Sequence, residues 1–243
     1  MRSNGQKSPK SLLVLAILLG IAPLTSTAEA GGVKGHIVSA EKLIPEVYAE
    51  AAKADVHHYT WREPSPTVKA DFRTLAASPS RDICIAAIST GVAQKHDPIA
   101  IILTGGHTIP STIVVSPGTI LSFLNHDPFP HRLFQVGADT FKPDELQSGK
   151  NRDWTAPSGG GRFEFRDQLF SSVRFTVVVD PGVVDVVYPG RNGAFAFGSL
   201  PPGDYYLRAY FNGKPVGKQI AVVATRGGIE IKEALNVGEV ATP

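Results

Sequence analysis

From Ser111 to Ala224 the chain sets one short β-branched or aromatic run after another, and turn residues close almost every one. STIVVSPGTILSFLN, VRFTVVVD, VVDVVY, GAFAF and DYYLRAYF are the clearest of them. Such runs are too short for amphipathic helices, and β-branched side chains, stiff at χ1, suit a pleated strand. PG, PPG and NG dipeptides break the pattern at intervals of roughly ten residues, the spacing of a β-sandwich. The expected fold class is therefore all-β, built from Greek-key β-sandwiches. Helical periodicity is confined to Glu46–Ala54, where the preceding Pro45 opposes it, and WREPSPTV reads as an extended connector because of Pro64 and Pro66.

The first thirty residues read as a secretory leader: Arg2, Lys7 and Lys10, then the apolar SLLVLAILLGIAPL, then Ala28 and Ala30 in A-x-A positions. Cleavage before Gly31 is expected, leaving a soluble periplasmic or secreted protein with no membrane span. Of 24 Lys and Arg and 22 Asp and Glu, the leader holds three and one, so 21 of each remain. A balanced chain gives no electrostatic footprint for nucleic acid. The single cysteine, Cys84, makes no internal disulfide and reads, within DICIAAI, as a small buried hydrophobe. Stability must come from apolar cores of ordinary size.

Four regions follow the leader at 1–30: an N-terminal β region at 31–94, a central region at 95–180, a further β unit at 181–225, and a polar tail at 226–243 read as loosely attached. The densest chemistry lies in the central region, in FLNHDPFPHRLFQ at Phe123–Gln135. His126, Asp127 and His131 are the candidate metal ligands, although two prolines between the histidines do not aim both rings at one point. His57 and His58 are adjacent and, on a strand, face opposite ways. No catalytic set accompanies these residues: G-x-S-x-G, H-E-x-x-H, phosphate-loop and dinucleotide fingerprints are all missing, QSGKN at 147–151 lacks the rest of a phosphate loop, and SGGGR at 158–162 reads as a turn. The expectation is no enzyme, with no catalytic and no cofactor-binding residues.

HTIPSTIVVSPGTILSFLNHDPFPHRLFQVG resembles the cupredoxin family in its bacterial plastocyanin-like form, through the Pro117-Gly118 turn and Asn125-x-Asp127-x-x-x-His131. The resemblance implies a sandwich in which His131 stands where metal-binding members have their first histidine. A blue-copper site needs two imidazoles and a thiolate, with a weak axial thioether. The family supplies the last three donors as C-x-x-H-x-x-M. Setting Phe165 beside the aromatic residue before that Cys places Arg166, Leu169 and Ser172 at the donor positions. None can replace its donor, so no metal and no cofactor are expected, with copper kept only as an alternative around His126, Asp127 and His131.

NGAFAFGSLPPGDYYLRAYFNGKPVGKQIAVV resembles the carboxypeptidase regulatory-like, transthyretin-type β domain, and GGVKGHIV resembles its first strand more weakly. In the first of these, Phe195 and Phe197 share one face, Pro201-Pro202-Gly203 reads as the reversal of a hairpin, and Tyr205, Leu207 and Ala209 return inward, leaving Tyr206, Arg208 and Tyr210 on the other face. The combination is similar to exported bacterial proteins described as methylamine-utilisation-like. It implies a non-catalytic binding or scaffolding protein of the cell envelope, its partner an envelope protein or a glycan. The alternatives are a copper-binding or electron-transfer protein with an atypical site, and a carbohydrate-binding accessory protein using the aromatic face.

Overall fold

The computed structural model describes residues 31–44, 77–91 and 97–239. The leader, Glu46–Ala54, His57, His58 and WREPSPTV lie outside them. In chain order the strands are β1 (Gly31–Val38), β2 (Ile83–Ile88), β3 (Ile99–Thr104), β4 (His107–Ile109), β5 (Thr112–Val115), β6 (Ile120–Asn125), β7 (Leu133–Gln135) and β8 (Asn151–Thr155). They continue with β9 (Gly161–Asp167), β10 (Arg174–Val179), β11 (Val183–Val187), β12 (Ala194–Leu200), β13 (Gly203–Phe211), β14 (Lys214–Ala224), β15 (Ile229–Glu230) and β16 (Leu235–Asn236). A single-turn helix, α1 (Pro79–Asp82), precedes β2. The protein is all-β, and no helix among the described residues is long and apolar enough to cross a membrane.

Four sheets form two sandwiches. In one, the sheet β4-β3-β6-β8 faces the sheet β5-β10-β9-β7. Alternation drives this packing: Leu121 and Phe123 of β6, Phe165 of β9, and Phe175, Val177 and Val179 of β10 all turn into one core. Phe165 stacks on Phe175 with centroids 5.1 Å apart and meets the Trp154 edge at 5.2 Å, an aromatic packing worth more than its buried area alone. The Pro117-Gly118 turn forms as read, with Gly118 at φ 81° and its N–H donating to Ala156 O at 2.8 Å.

In the other sandwich, β11-β2-β13-β14 faces a sheet in which β1 lies between β12 and β15, with β16 also pairing β1. The N-terminal and C-terminal β regions thus share both sheets. Phe195, Phe197 and Leu200 enter the core from one sheet, and Tyr205, Leu207 and Ala209 from the other, the faces expected from their alternation. The connection between them differs from the hairpin expected. β12 pairs β1 while β13 pairs β2 and β14, so Pro201-Pro202 carries the chain across the core from one sheet to the other. The buried Tyr205 hydroxyl donates to Pro201 O at 2.7 Å and fastens this corner. The segment read as a loose tail is also packed: Leu235 and Val237 are buried in the same core, because β15 and β16 extend the sheet edge along β1.

A third apolar layer joins the sandwiches. ICIAAI of β2 is a continuous apolar run, and such a run lets a strand be buried on both faces. Ile83, Ile85 and Ala87 face the outer core, while Cys84 and Ala86 meet Val114, Val183 and Tyr210 in the middle layer. Tyr188 donates its hydroxyl to Thr112 O at 3.1 Å across this layer. The β13–β14 turn presses on β10 so closely that a Cβ at Gly213, φ 69°, would lie 2.2 Å from Thr176 Cγ2.

Cys84 is fully buried, and burial, only partly offset by hydrogen bonds to Tyr188 and Val114, pushes its thiol up to about 12. The thiolate is the reactive form, so the native thiol should be inert. A thiol reagent at neutral pH should label no cysteine in the folded protein and one after denaturation. Rapid labelling of the native state would show that the middle layer is open to water.

Candidate functional site

Alternation along β6 settles the fate of FLNHDPFPHRLFQ. Phe123, Asn125 and Asp127 turn inward, whereas His126 is exposed. Asn125 is fully buried and organises the loop: its Nδ2 donates to Phe129 O and Leu146 O, both at 2.9 Å, and its Oδ1 accepts from Asp127 N at 2.8 Å. His131 has no exposed surface, and its backbone exchanges two hydrogen bonds with Leu146. The structure therefore brings Asp127 and His131 together and sends His126 to solvent.

Both ring nitrogens of His131 are committed. Nε2 lies 3.0 Å from Asp127 Oδ2, and Nδ1 lies 2.8 Å from Asp167 Oδ2. Each carboxylate is itself held by main-chain donors. Asp127 accepts from Gly105 N at 2.6 Å and Gly106 N at 3.1 Å. Asp167 accepts from Arg132 N at 3.0 Å through Oδ2, and from Leu169 N at 2.6 Å and Phe170 N at 2.9 Å through Oδ1. Burial opposes ionisation of Asp127, but hydrogen bonds from Gly106, His131 and Gly105 and the imidazole charge outweigh it and hold the carboxyl below its ordinary value. An acceptor on each side of the ring suits an imidazolium donating from both nitrogens. Phe129 and Phe170 close over it, with ring centroids 5.4 and 5.2 Å from that of His131 and 4.6 Å from each other.

Asp167 is the residue the sequence reading missed. Along β9 the inward face runs Phe163, Phe165, Asp167, so Arg166 points outward and bonds Glu164 at 2.8 Å. Leu169 is 46% exposed, and Ser172 Oγ donates to Gly106 O at 2.8 Å. Asp167 and Phe170, each one residue beyond Arg166 and Leu169, are thus the side chains that meet His131. The inward alternation of FEFRD was the available signal.

These residues do not fit a blue-copper centre. The side chains that meet His131 are two carboxylates and two phenyl rings, where a blue-copper centre needs a thiolate, a second imidazole and a thioether, and both ring nitrogens are engaged. Cys84 lies in the middle apolar layer, packed apart from this core. Among the described residues, no group of three or more His, Cys, Asp or Glu side chains is placed to hold a metal ion. The C-terminal aromatic face is also reduced: Tyr206 is 51% exposed, but Tyr210 is buried in the middle layer with its hydroxyl 3.3 Å from Asp180 Oδ2.

No protein-family model and no curated protein matches the chain. Among solved structures it is similar to a reduced amicyanin variant, at 17% identity and a TM-score of 0.32, over 34% of this chain and 82% of that one. It is similar to a purple cupredoxin from Nitrosopumilus maritimus at 19% identity and a TM-score of 0.31, over 34% of this chain and 99% of that one. A copper-containing nitrite reductase from Thermus scotoductus SA-01 gives 17% identity and a TM-score of 0.31, over 39% of this chain and a quarter, 25%, of that one.

Removing the ring while leaving two buried carboxylates should be costly. His131→Ala is expected to lose about 3–5 kcal/mol, the range for breaking a buried ion pair from one side. Asp127 has a lowered folded pKa, so its contribution is complete above the unfolded carboxyl value of about 4 and is lost as pH falls through the lower folded one. Denaturant titrations of Asp127→Asn should show a stability deficit at neutral pH that shrinks below about pH 4. A deficit independent of pH would mean that the Asp127 charge is not what matters.

Proposed function

We propose that this chain is an exported, non-catalytic binding or scaffolding protein of the cell envelope, in which a cupredoxin-like sandwich keeps its shape without copper. The observation that carries the reading is the commitment of both His131 nitrogens to Asp127 and Asp167. A metal would have to displace one carboxylate from the ring and would then meet phenyl rings instead of soft donors. The ring fastens loops here, where in a copper protein it would be a ligand. The leader-like sequence at 1–30 supports export, and the missing catalytic motifs support a role without chemistry.

The test is metal uptake by the purified protein. Cu(II) added in competition with a modest chelator should stay with the chelator, and the melting temperature should not move. A one-to-one copper complex that survives the chelator and disappears in His131→Ala would overturn the reading and leave the copper alternative standing.

A pair of triple variants checks the register. Asp167→Cys, Phe170→His and Val173→Met place a thiolate and an imidazole on the two residues that meet His131, and a thioether on the buried residue three further on. Together they should give thiolate-to-copper absorption on adding Cu(II). The set one step earlier, Arg166→Cys, Leu169→His and Ser172→Met, should not, because Arg166 faces away. Absorption from the second set alone would refute the placement of Asp167.

A further inference from the structure

A cleft of about 450 Å³ opens where the two sandwiches meet. One wall is the outer face of β9 and β10, with Arg162, Glu164, Arg174 and Thr176. The other is Arg81 and Asp82 of α1 with Asn212 of the β13–β14 turn. The size is that of a site for a small organic molecule, and the junction of two units is a common place for one.

The charges inside do not cancel. Asp82 is already satisfied: Arg81 holds it through Nε at 2.7 Å and Nη2 at 3.1 Å, and Ser111 Oγ and Ser78 N donate to it at 2.9 and 2.8 Å. Burial opposes its ionisation, but these bonds hold its carboxyl below the ordinary value. Glu164 is paired with Arg166 at 2.8 Å. Two arginines remain. Among the described residues Arg162 Nη2 donates only to neutral oxygens, Asn212 O at 3.3 Å and Thr176 Oγ1 at 3.5 Å. Arg174 makes no ion pair or side-chain hydrogen bond among the described residues.

Two guanidinium forks on one wall of the cleft, without an ion-pair partner among the described residues, define the chemistry that would complete it. We propose that this cleft is a binding site for a small molecule carrying an oxyanion, a phosphate, sulfate or carboxylate group, held by Arg162 and Arg174. Planar guanidinium forks match these anions in two-bond geometry. The site is independent of how His131 is used, and neither its residues nor its test involves copper.

The test uses the mature protein with inorganic phosphate, sulfate and acetate as probes at constant ionic strength, and chloride as the control. Calorimetry or amide chemical shifts should show saturable binding of at least one oxyanion and none of chloride, and the strongest of the three identifies the group. Arg162→Gln with Arg174→Gln should weaken binding by roughly tenfold or more, about the loss of one charge-assisted hydrogen bond, while Arg226→Gln, outside the cleft, should leave it unchanged. No saturable binding by any probe, or equal binding by wild type and the double arginine variant, overturns the proposal.

Discussion

A histidine ring cannot be stripped of water on every side unless each nitrogen finds a partner, and His131 meets that demand with two carboxylates. The carboxylates carry the demand outward. Asp127 gathers the N–H groups of Gly105 and Gly106 and so fixes the β3–β4 turn. Asp167 gathers those of Leu169 and Phe170 and so folds the β9–β10 connection back on itself. Asn125 closes the β6–β7 loop around both. Three loops from both sheets of the sandwich are therefore fastened through one ring. A copper ion joins loops in a comparable way, with coordinate bonds where this chain uses charge-assisted hydrogen bonds.

The cleft at the junction depends on the same turn from its other side. Ser172, a cleft residue, donates to Gly106 O, while the Gly106 N–H points to Asp127. The β9–β10 face that supplies the free arginines is the back of the strands whose front supplies Phe165 and Phe175 to the aromatic core. The strands fix the backbone from which these arginines project, and the middle apolar layer joins them to the sheet that carries Asn212.

Much of this was legible along the chain. Period-two alternation placed Phe195, Phe197, Tyr205, Leu207 and Ala209 inside, and the β-branched DICIAAI run placed Cys84 in a core. The spacing of Asn125, Asp127 and His131 marked the loop that matters. What was not legible depended on register or on distant contacts. Arg166 and Asp167 are adjacent, and a slip of one residue exchanges the face toward the core for the face toward water. Pro201-Pro202-Gly203 permits both a hairpin and a crossing between sheets; only the pairing of β12 with β1 decides, and that partner lies far away in sequence. The same holds for the cleft, whose arginines come from α1, β9 and β10 and share nothing as a local pattern.

The strand partnership of β1 has a consequence for the order in which the molecule can be made. Among the described residues β1 pairs only with β12, β15 and β16, and β2 only with β11 and β13, all of which follow the entire inner sandwich in the sequence. During synthesis the inner sandwich completes its pairings with β10, while β1 and β2 wait as unpaired edges. Closing so long a loop costs entropy that local contacts do not repay, so the outer sandwich is the slow one to form. A nascent chain that stops short of Val183 holds a finished inner unit and two strands with nothing to pair, the state most exposed to aggregation or to capture by a chaperone.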